Sequence, residues 1–316
     1  MTLRPLRSLP GRAVAIALLV LVGTGCALTS EQERGLGDQF SRQVESQKRL
    51  VRDPAVVDYV RRIGGRLAAA AGPQPFPITW NVLVDDEVNA FAGPGGYVYV
   101  NTGLIARARN VSELAAVMAH ELSHVTLRHV STSVARQQQA AIVGAGIAAA
   151  TGSETWGQVA STGTGIWNLR YDRAAEREAD RNGVTLMQRA GYDPSGMVTM
   201  FQLLMSSGGA GGGGFLSSHP GVGERIQYIE SDIRALPPSR GLIRDDGRLQ
   251  SIQARVRSGL RGAEWTRPWE GSSRSGAAGG TDPYGPGSSG DGGAYGGGLD
   301  PNGYPDGPGS YDRYGR

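Results

Sequence analysis

The sequence predicts an α+β fold, mostly helical, with one small antiparallel sheet. Apolar residues recur at helical spacing in several separate stretches, clearest over 56–67 and 114–125. Only two short runs, 78–84 and 97–100, carry the alternation or the β-branched and aromatic content of strands. A turn-rich segment, 89–96, lies between those two runs, so both belong to one small sheet.

The elements follow in order. In residues 1–25, Arg4, Arg7 and Arg12 precede an apolar run at 13–22 that is short for a membrane span. Cys26, the only cysteine, comes directly after Gly23-Thr24-Gly25. This pattern reads as a lipoprotein-type signal, with Gly23 where leucine is usual and Cys26 as the lipidated first residue of the mature chain. Residues 30–72 read as helical, with Val56, Val57, Tyr59, Val60, Ile63 and Leu67 on the apolar face. Prolines at 73 and 77 end that pattern, and Asp85-Asp86 ends the first strand. Asn110 or Ser112 is positioned to cap the next helix, Asn110 having Glu113 three residues later at capping-box spacing, and that helix is expected to run to about Arg136. Residues 141–165 are small and apolar, and a buried helix and a flap stay open. Residues 171–190, 195–206, 224–236 and 249–259 read as further helices, and 207–214 as a glycine-rich loop. From 271 the chain is Gly, Ser, Pro, Asp and Tyr, without the apolar residues that offset the entropy of ordering. Three segments result: a signal at 1–25, a folded domain at 26–270 and a disordered tail at 271–316.

The whole chain of 316 residues carries a formal charge of +3. Residues 1–25 hold three arginines and no acid, so their removal leaves 29 basic and 29 acidic residues. The mature chain is close to neutral, and no basic stripe points to a nucleic-acid partner. One cysteine permits no intrachain disulfide.

Chemistry concentrates at His120-Glu121-Leu122-Ser123-His124, an H-E-x-x-H motif. Histidines four apart share one helix face and can reach one zinc ion. Glu121 is then suited to take a proton from the attacking water and pass it to the leaving group. The chain has four histidines in all, so the pairing is not a by-product of a histidine-rich composition. A catalytic zinc needs a third protein ligand. Glu176 and Asp180 share a helix face downstream, and Glu178 points elsewhere. On spacing alone two readings stay open. In one, Glu176 binds the metal and Asp180 holds a histidine N–H. In the other, both sit on a solvated charged helix with Arg173, Arg177 and Arg181.

Five pieces in this order resemble one family: Asn89-Ala90-Phe91-Ala92, then G-Y-V-Y-V-N-T-G at 96–103, H-E-L-S-H at 120–124, Glu176-x-x-x-Asp180, and His219-Pro220 followed by Glu224-Arg225. Over about 30–235 the chain is similar to the HtpX/BepA-like zinc metallopeptidases, relatives of the mitochondrial Oma and CAAX prenyl proteases. The resemblance implies a gluzincin-type domain with one Zn2+ per chain and Glu176 as third ligand. It also implies His219 and Arg225 as positive groups where the oxyanion forms. Gly96, Tyr97, Val98 and Tyr99 are expected to offer a strand edge to the substrate backbone. His129, five residues past His124 and about 140° around a continuous helix, is assigned to structure.

The expected function is that of an endopeptidase of the bacterial cell envelope, an outer-membrane lipoprotein facing the periplasm, acting on unfolded or misfolded envelope polypeptides. A chaperone-like assembly factor for outer-membrane proteins, working with the assembly machinery and carrying a latent protease site, is the alternative. The intact ligand set and Glu121 favour the enzyme. An integral membrane protease is disfavoured, because past residue 25 no apolar run is long enough to span a bilayer. His219 follows a glycine-rich loop, so it has a second option as an inhibitory fourth metal ligand.

Overall fold

The computed structural model describes residues 28–151, 171–207, 214–259 and 265–266. The expected signal at 1–25 with Cys26, the expected tail from 271, most of the glycine-rich loop and residues 152–165 lie outside the described residues.

The expected helical run over 30–72 is two helices, α1 (Ser30–Gln47) and α2 (Pro54–Ala71), separated by a short strand β1 (Leu50–Val51). Thr29 caps α1 with a full capping box to Gln32. Asp53 accepts the N–H of Val56 at 3.2 Å and Pro54 occupies the first turn, a start signal that divides the run. The buried face of α2 carries Val56, Tyr59, Val60, Ile63 and Leu67 as expected, while Val57 of the expected face is only partly buried.

Strands β2 (Thr79–Leu83) and β4 (Tyr97–Asn101) stand where expected. The turn-rich segment between them contains a further strand, β3 (Ala90–Ala92). Its presence corrects the antiparallel expectation. β3 and β4 pair antiparallel, but β4 inserts between β3 and β2 and runs parallel to β2, with Trp80 opposite Val98. The extra strand reverses the chain once more, so the sheet is mixed. With β5 (Trp265–Thr266) beside β1, its order is β3-β4-β2-β1-β5. The turn from β3 to β4 needs Gly96 at φ 85°, where a Cβ would also lie 2.6 Å from the Pro77 carbonyl.

One face of the sheet is covered by α1, through Phe40 and Val44 against Tyr99, Leu83 and Leu50. Beyond the other lies the main core and helix α4 (Val111–Thr126), reached through the short helix α3 (Thr102–Arg107). Every residue of α4 from Val111 to Val125 is buried, so its polar side chains must be satisfied internally. Asn110 caps α4 through the Glu113 N–H at 3.1 Å. The Glu113 carboxylate takes the N–H of Arg109, at 2.8 Å, and not that of Asn110, so the box closes one residue early.

The helix does not continue to Arg136. It ends at Thr126, and α5 (His129–Thr151) starts afresh after Arg128, which has φ 59°. The Arg128 guanidinium donates to the Leu28 carbonyl and to Glu33 of α1, both at 2.7 Å. The later helices are α6 (Arg173–Arg189), α7 (Ser195–Ser207), α8 (Phe215–Ser218), α9 (Val222–Ala235) and α10 (Leu249–Arg257). Among the described residues no helix is long and apolar enough to cross a membrane. The α+β, mostly helical class read from the sequence is the observed one.

Candidate metal centre

α6 packs on α4 closely because Gly183 sits at the crossing. A Cβ there would lie 2.9 Å from Met197 Cε and 3.4 Å from the backbone nitrogen of His120. Glu176 and Asp180, earlier on α6, are thereby brought beside the histidines of α4. Asp172 caps α6 by accepting the Ala175 N–H at 2.9 Å. His219 enters from the residue after α8, and Arg225 from the first turn of α9.

His120, His124, Glu176 and His219 form one buried group whose donor atoms all lie within 4.8 Å of one another. His120 Nε2 is 3.0 Å from His124 Nε2 and 3.2 Å from His219 Nδ1. Glu176 oxygens stand 3.5 Å from His120 Nε2, 3.4 Å from His124 Nε2 and 2.8 Å from His219 Nδ1. Ligands at ~2.0–2.1 Å in a tetrahedral set are ~3.3 Å from each other. These separations scatter around that edge length, and three imidazoles with a carboxylate are a zinc-type donor set. The Tyr171 hydroxyl is buried without a hydrogen-bond partner among the described residues, while Glu176 Oε2 pairs with Arg225 NH1 and Glu121 Oε1 lies 3.3 Å from His219 Nε2. Carboxylates of Glu176 and Glu121 buried against three imidazoles supply the negative charge and lone pairs that a divalent cation takes up. The residues therefore fit the metal.

Charge at the centre is set by burial and close partners. Burial raises the Asp180 carboxyl, but hydrogen bonds from His120 and Arg225 outweigh it and hold it down at about 2. Glu176 is likewise held well below the usual carboxylate range, against its burial, by His219 and His124. Burial drives His124 far down, toward the neutral imidazole that a ligand needs. His219 has burial pushing it down, yet Glu176 and Glu121 raise it to about 9. That last shift belongs to the metal-free cluster.

The sequence-selected residues fall as follows. His120, His124 and Glu176 are together. Asp180 Oδ1 lies 3.0 Å from His120 Nδ1, where it accepts the N–H that leaves Nε2 to the cluster. Glu121 Oε2 accepts the Ala92 N–H at 3.0 Å, and Oε1 lies 3.3 Å from His219 Nε2.

Two expectations are corrected. Arg225 does not face a free oxyanion position. Its Nε and NH2 bind the two Asp180 oxygens at 2.8 and 2.7 Å, and NH1 lies 2.5 Å from Glu176 and 3.4 Å from the His219 carbonyl. The remaining NH2 hydrogen sits beside His120 Nδ1, at 3.4 Å. The guanidinium is thus committed to the cluster's own carboxylates. Second, Gly96, Tyr97, Val98 and Tyr99 offer no free edge, because β4 lies between β3 and β2. The outer strand is β3, and its Ala92 N–H faces Glu121.

Two contributors were not read from the sequence. Tyr171, immediately before the α6 cap, stacks flat on His124 with centroids 3.7 Å apart. No spacing rule points to a residue outside a helix. His129 Nδ1 lies 3.1 Å from His124 Nδ1, which a continuous helix forbids and the break at Arg128 permits.

With this geometry in hand, comparisons place the chain. The sequence pattern described as Peptidase family M48 matches residues 54–233. The beta-barrel assembly-enhancing protease of Escherichia coli (strain K12) is 37% identical over 190 residues, 57% of this chain and 39% of that protein. The metalloprotease LoiP of the same organism is 29% identical over 214 residues, 66% of this chain and 83% of its own length. The mitochondrial metalloendopeptidase OMA1 of Arabidopsis thaliana is 34% identical over 155 residues, 48% of this chain and 31% of its own. The chain spans well under half the length of the assembly-enhancing protease it matches. Because the matched segment runs from the start of α2 through α9 and holds every donor of the cluster, the chain belongs to peptidase family M48.

Proposed function

We propose that the chain is a zinc-dependent endopeptidase of the bacterial cell envelope that cuts unfolded or misfolded envelope polypeptides. The observation that carries this reading is the convergence of His120, His124 and Glu176 with Glu121 beside them, all buried together. A bound zinc supplies Lewis acidity and makes a water acidic near neutral pH. The chain's own residues do the rest. Asp180 and Arg225 fix His120 and Glu176. Glu121, steadied by the Ala92 N–H, takes a proton from the attacking water and delivers it to the leaving amine. The outer edge of β3 holds an extended substrate backbone next to Glu121.

His219 has a double role in this proposal. Its Nδ1 stands in the donor group, 3.2 Å from His120 Nε2, so in the resting chain it is the fourth donor. Displaced by substrate, its imidazole is left to stabilise the oxyanion. That observation also favours a second reading, an assembly factor for outer-membrane proteins whose protease site is mostly latent. The segments at 1–25, 26–270 and 271–316 remain our division of the chain, with lipidated Cys26 as an outer-membrane anchor facing the periplasm.

The deciding experiment compares the full-length chain with Glu121→Gln on casein and on an unfolded porin. The glutamine amide cannot take the proton, so zinc and fold are retained and cleavage is lost. Cleavage near the unaltered rate refutes the hydrolase. His219→Ala separates the two roles of that residue: release of a latch raises cleavage of unfolded substrate, and loss of an oxyanion donor alone lowers it.

A further inference from the structure

Each metal-directed histidine of α4 has its far ring nitrogen held. For His120 the holder is Asp180, as expected of a carboxylate behind a ligand. For His124 it is His129, whose Nδ1 lies 3.1 Å from His124 Nδ1. His129 Nε2 in turn lies 3.1 Å from Glu178 Oε2. The side chain of His129 is largely buried, at 10% exposure, and Glu178 is exposed at 67%. The two nitrogens between the rings cannot both carry hydrogen. A carboxylate accepts only, so it selects the tautomer of His129 with hydrogen on Nε2. His129 Nδ1 is then an acceptor, and the hydrogen between the rings belongs to His124 Nδ1. That leaves His124 Nε2 bare, and Nε2 is the atom 3.0 Å from His120 Nε2 in the donor group. Tyr171, stacked on the ring of His124, fixes its plane, while His129 fixes its rotation and tautomer.

We propose that His129, backed by Glu178, is a positioning residue for the metal: it holds His124 in the tautomer that presents Nε2 to the zinc. The proposal rests on the metal reading above. It gives a use to Glu178, which faces away from the donor cluster on α6, and to the left-handed residue Arg128, which turns His129 back toward His124.

The test is zinc affinity, measured by chelator competition on the full-length chain, with metal-free melting temperature as a fold control. Loss of a group that orients a ligand typically weakens metal binding by ~10–100-fold. His129→Leu should show such a loss. His129→Asn, whose amide oxygen falls near the Nδ1 position, should stay within about threefold of the unaltered chain. Glu178→Gln should weaken binding in the unaltered background and have no effect on top of His129→Leu, because its influence passes through the imidazole. If His129→Leu fails to fold without metal, the comparison of His129→Asn with Glu178→Gln decides. Unchanged affinity in His129→Leu, equal losses in the Leu and Asn variants, or additive effects of the His129→Leu and Glu178→Gln changes would each overturn the proposal. If the unaltered chain takes up no zinc, the metal reading itself fails, which is a distinct outcome.

Discussion

Removing the guanidinium of Arg225 while keeping its bulk, as in Arg225→Met, tests the reassignment of that residue. The side chain is 4% exposed, and its carboxylate partners Asp180 and Glu176 are at 0% and 1%. Deleting one partner of a buried pair costs ~3–5 kcal/mol, because the other charge stays behind without compensation. Asp180 retains His120 Nδ1 and the Tyr228 hydroxyl, at 3.0 and 2.9 Å, which argues for the lower part of that range, about 3–4 kcal/mol. For a domain of this size each kcal/mol moves the melting temperature by roughly 2–4 °C, so the metal-free chain should melt about 6–16 °C lower. Zinc should narrow the gap, since the metal gives Glu176 a new cation but leaves Asp180 short. Arg225→Lys keeps a charge without the bidentate fork and should fall between the two. Thermal melts followed by circular dichroism, with EDTA and with zinc, read all of this. An oxyanion donor without a structural role gives the opposite signature, a ~10²–10³-fold loss of kcat at an unchanged melting temperature. A metal-free Arg225→Met chain melting within about 2 °C of the unaltered one refutes the reasoning.

Three further outcomes are expected. Glu176→Ala should lose most of the one equivalent of zinc per chain by metal analysis, since two histidines and a displaceable third do not make a stable site. Asp180, held at about 2 against an ordinary 3.8, contributes stability that is full above pH ~4 and lost as pH falls toward 2. The stability gap between the unaltered chain and Asp180→Asn should therefore shrink across that window in metal-free melts. Cys26→Ala should release the protein from the membrane fraction, and a variant still membrane-bound would count against the lipid anchor.

What was legible in the sequence was whatever a single helix or strand decides. His120 and His124 face one ion because four residues make about one turn, and that holds whatever surrounds the helix. Glu176 and Asp180 fall on one face for the same reason, and the helical period picks out the apolar face of α2 with Val57 at its margin. The strand β3 escaped because it is three residues long, bounded by Asn89 and Gly93-Pro94, and formed by pairing with β4 and not by its own composition. Missing it also cost the sheet its true direction and placed the free edge one strand too far inside. Arg225 was legible as a cation near the site, but its partners are set by how α6 and α9 pack, which no spacing encodes.

The end of α4 shows why such limits matter for function. Nothing at Leu127-Arg128 marks a break, since neither glycine nor proline is present. The left-handed conformation of Arg128 costs ~1–2 kcal/mol for a residue with a side chain. It persists because the guanidinium reaches the buried carboxylate of Glu33 and the Leu28 carbonyl, far away in sequence. Ion pairs with one buried partner and hydrogen bonds to charged groups contribute on the order of that cost. Glu33 of α1 holds Arg128, and the left-handed turn at Arg128 lets His129 reach His124 in the candidate metal centre. A reading confined to the neighbourhood of the H-E-x-x-H motif sees a histidine on the wrong face. The face is wrong only for a straight helix, and the helix is not continued straight through Arg128.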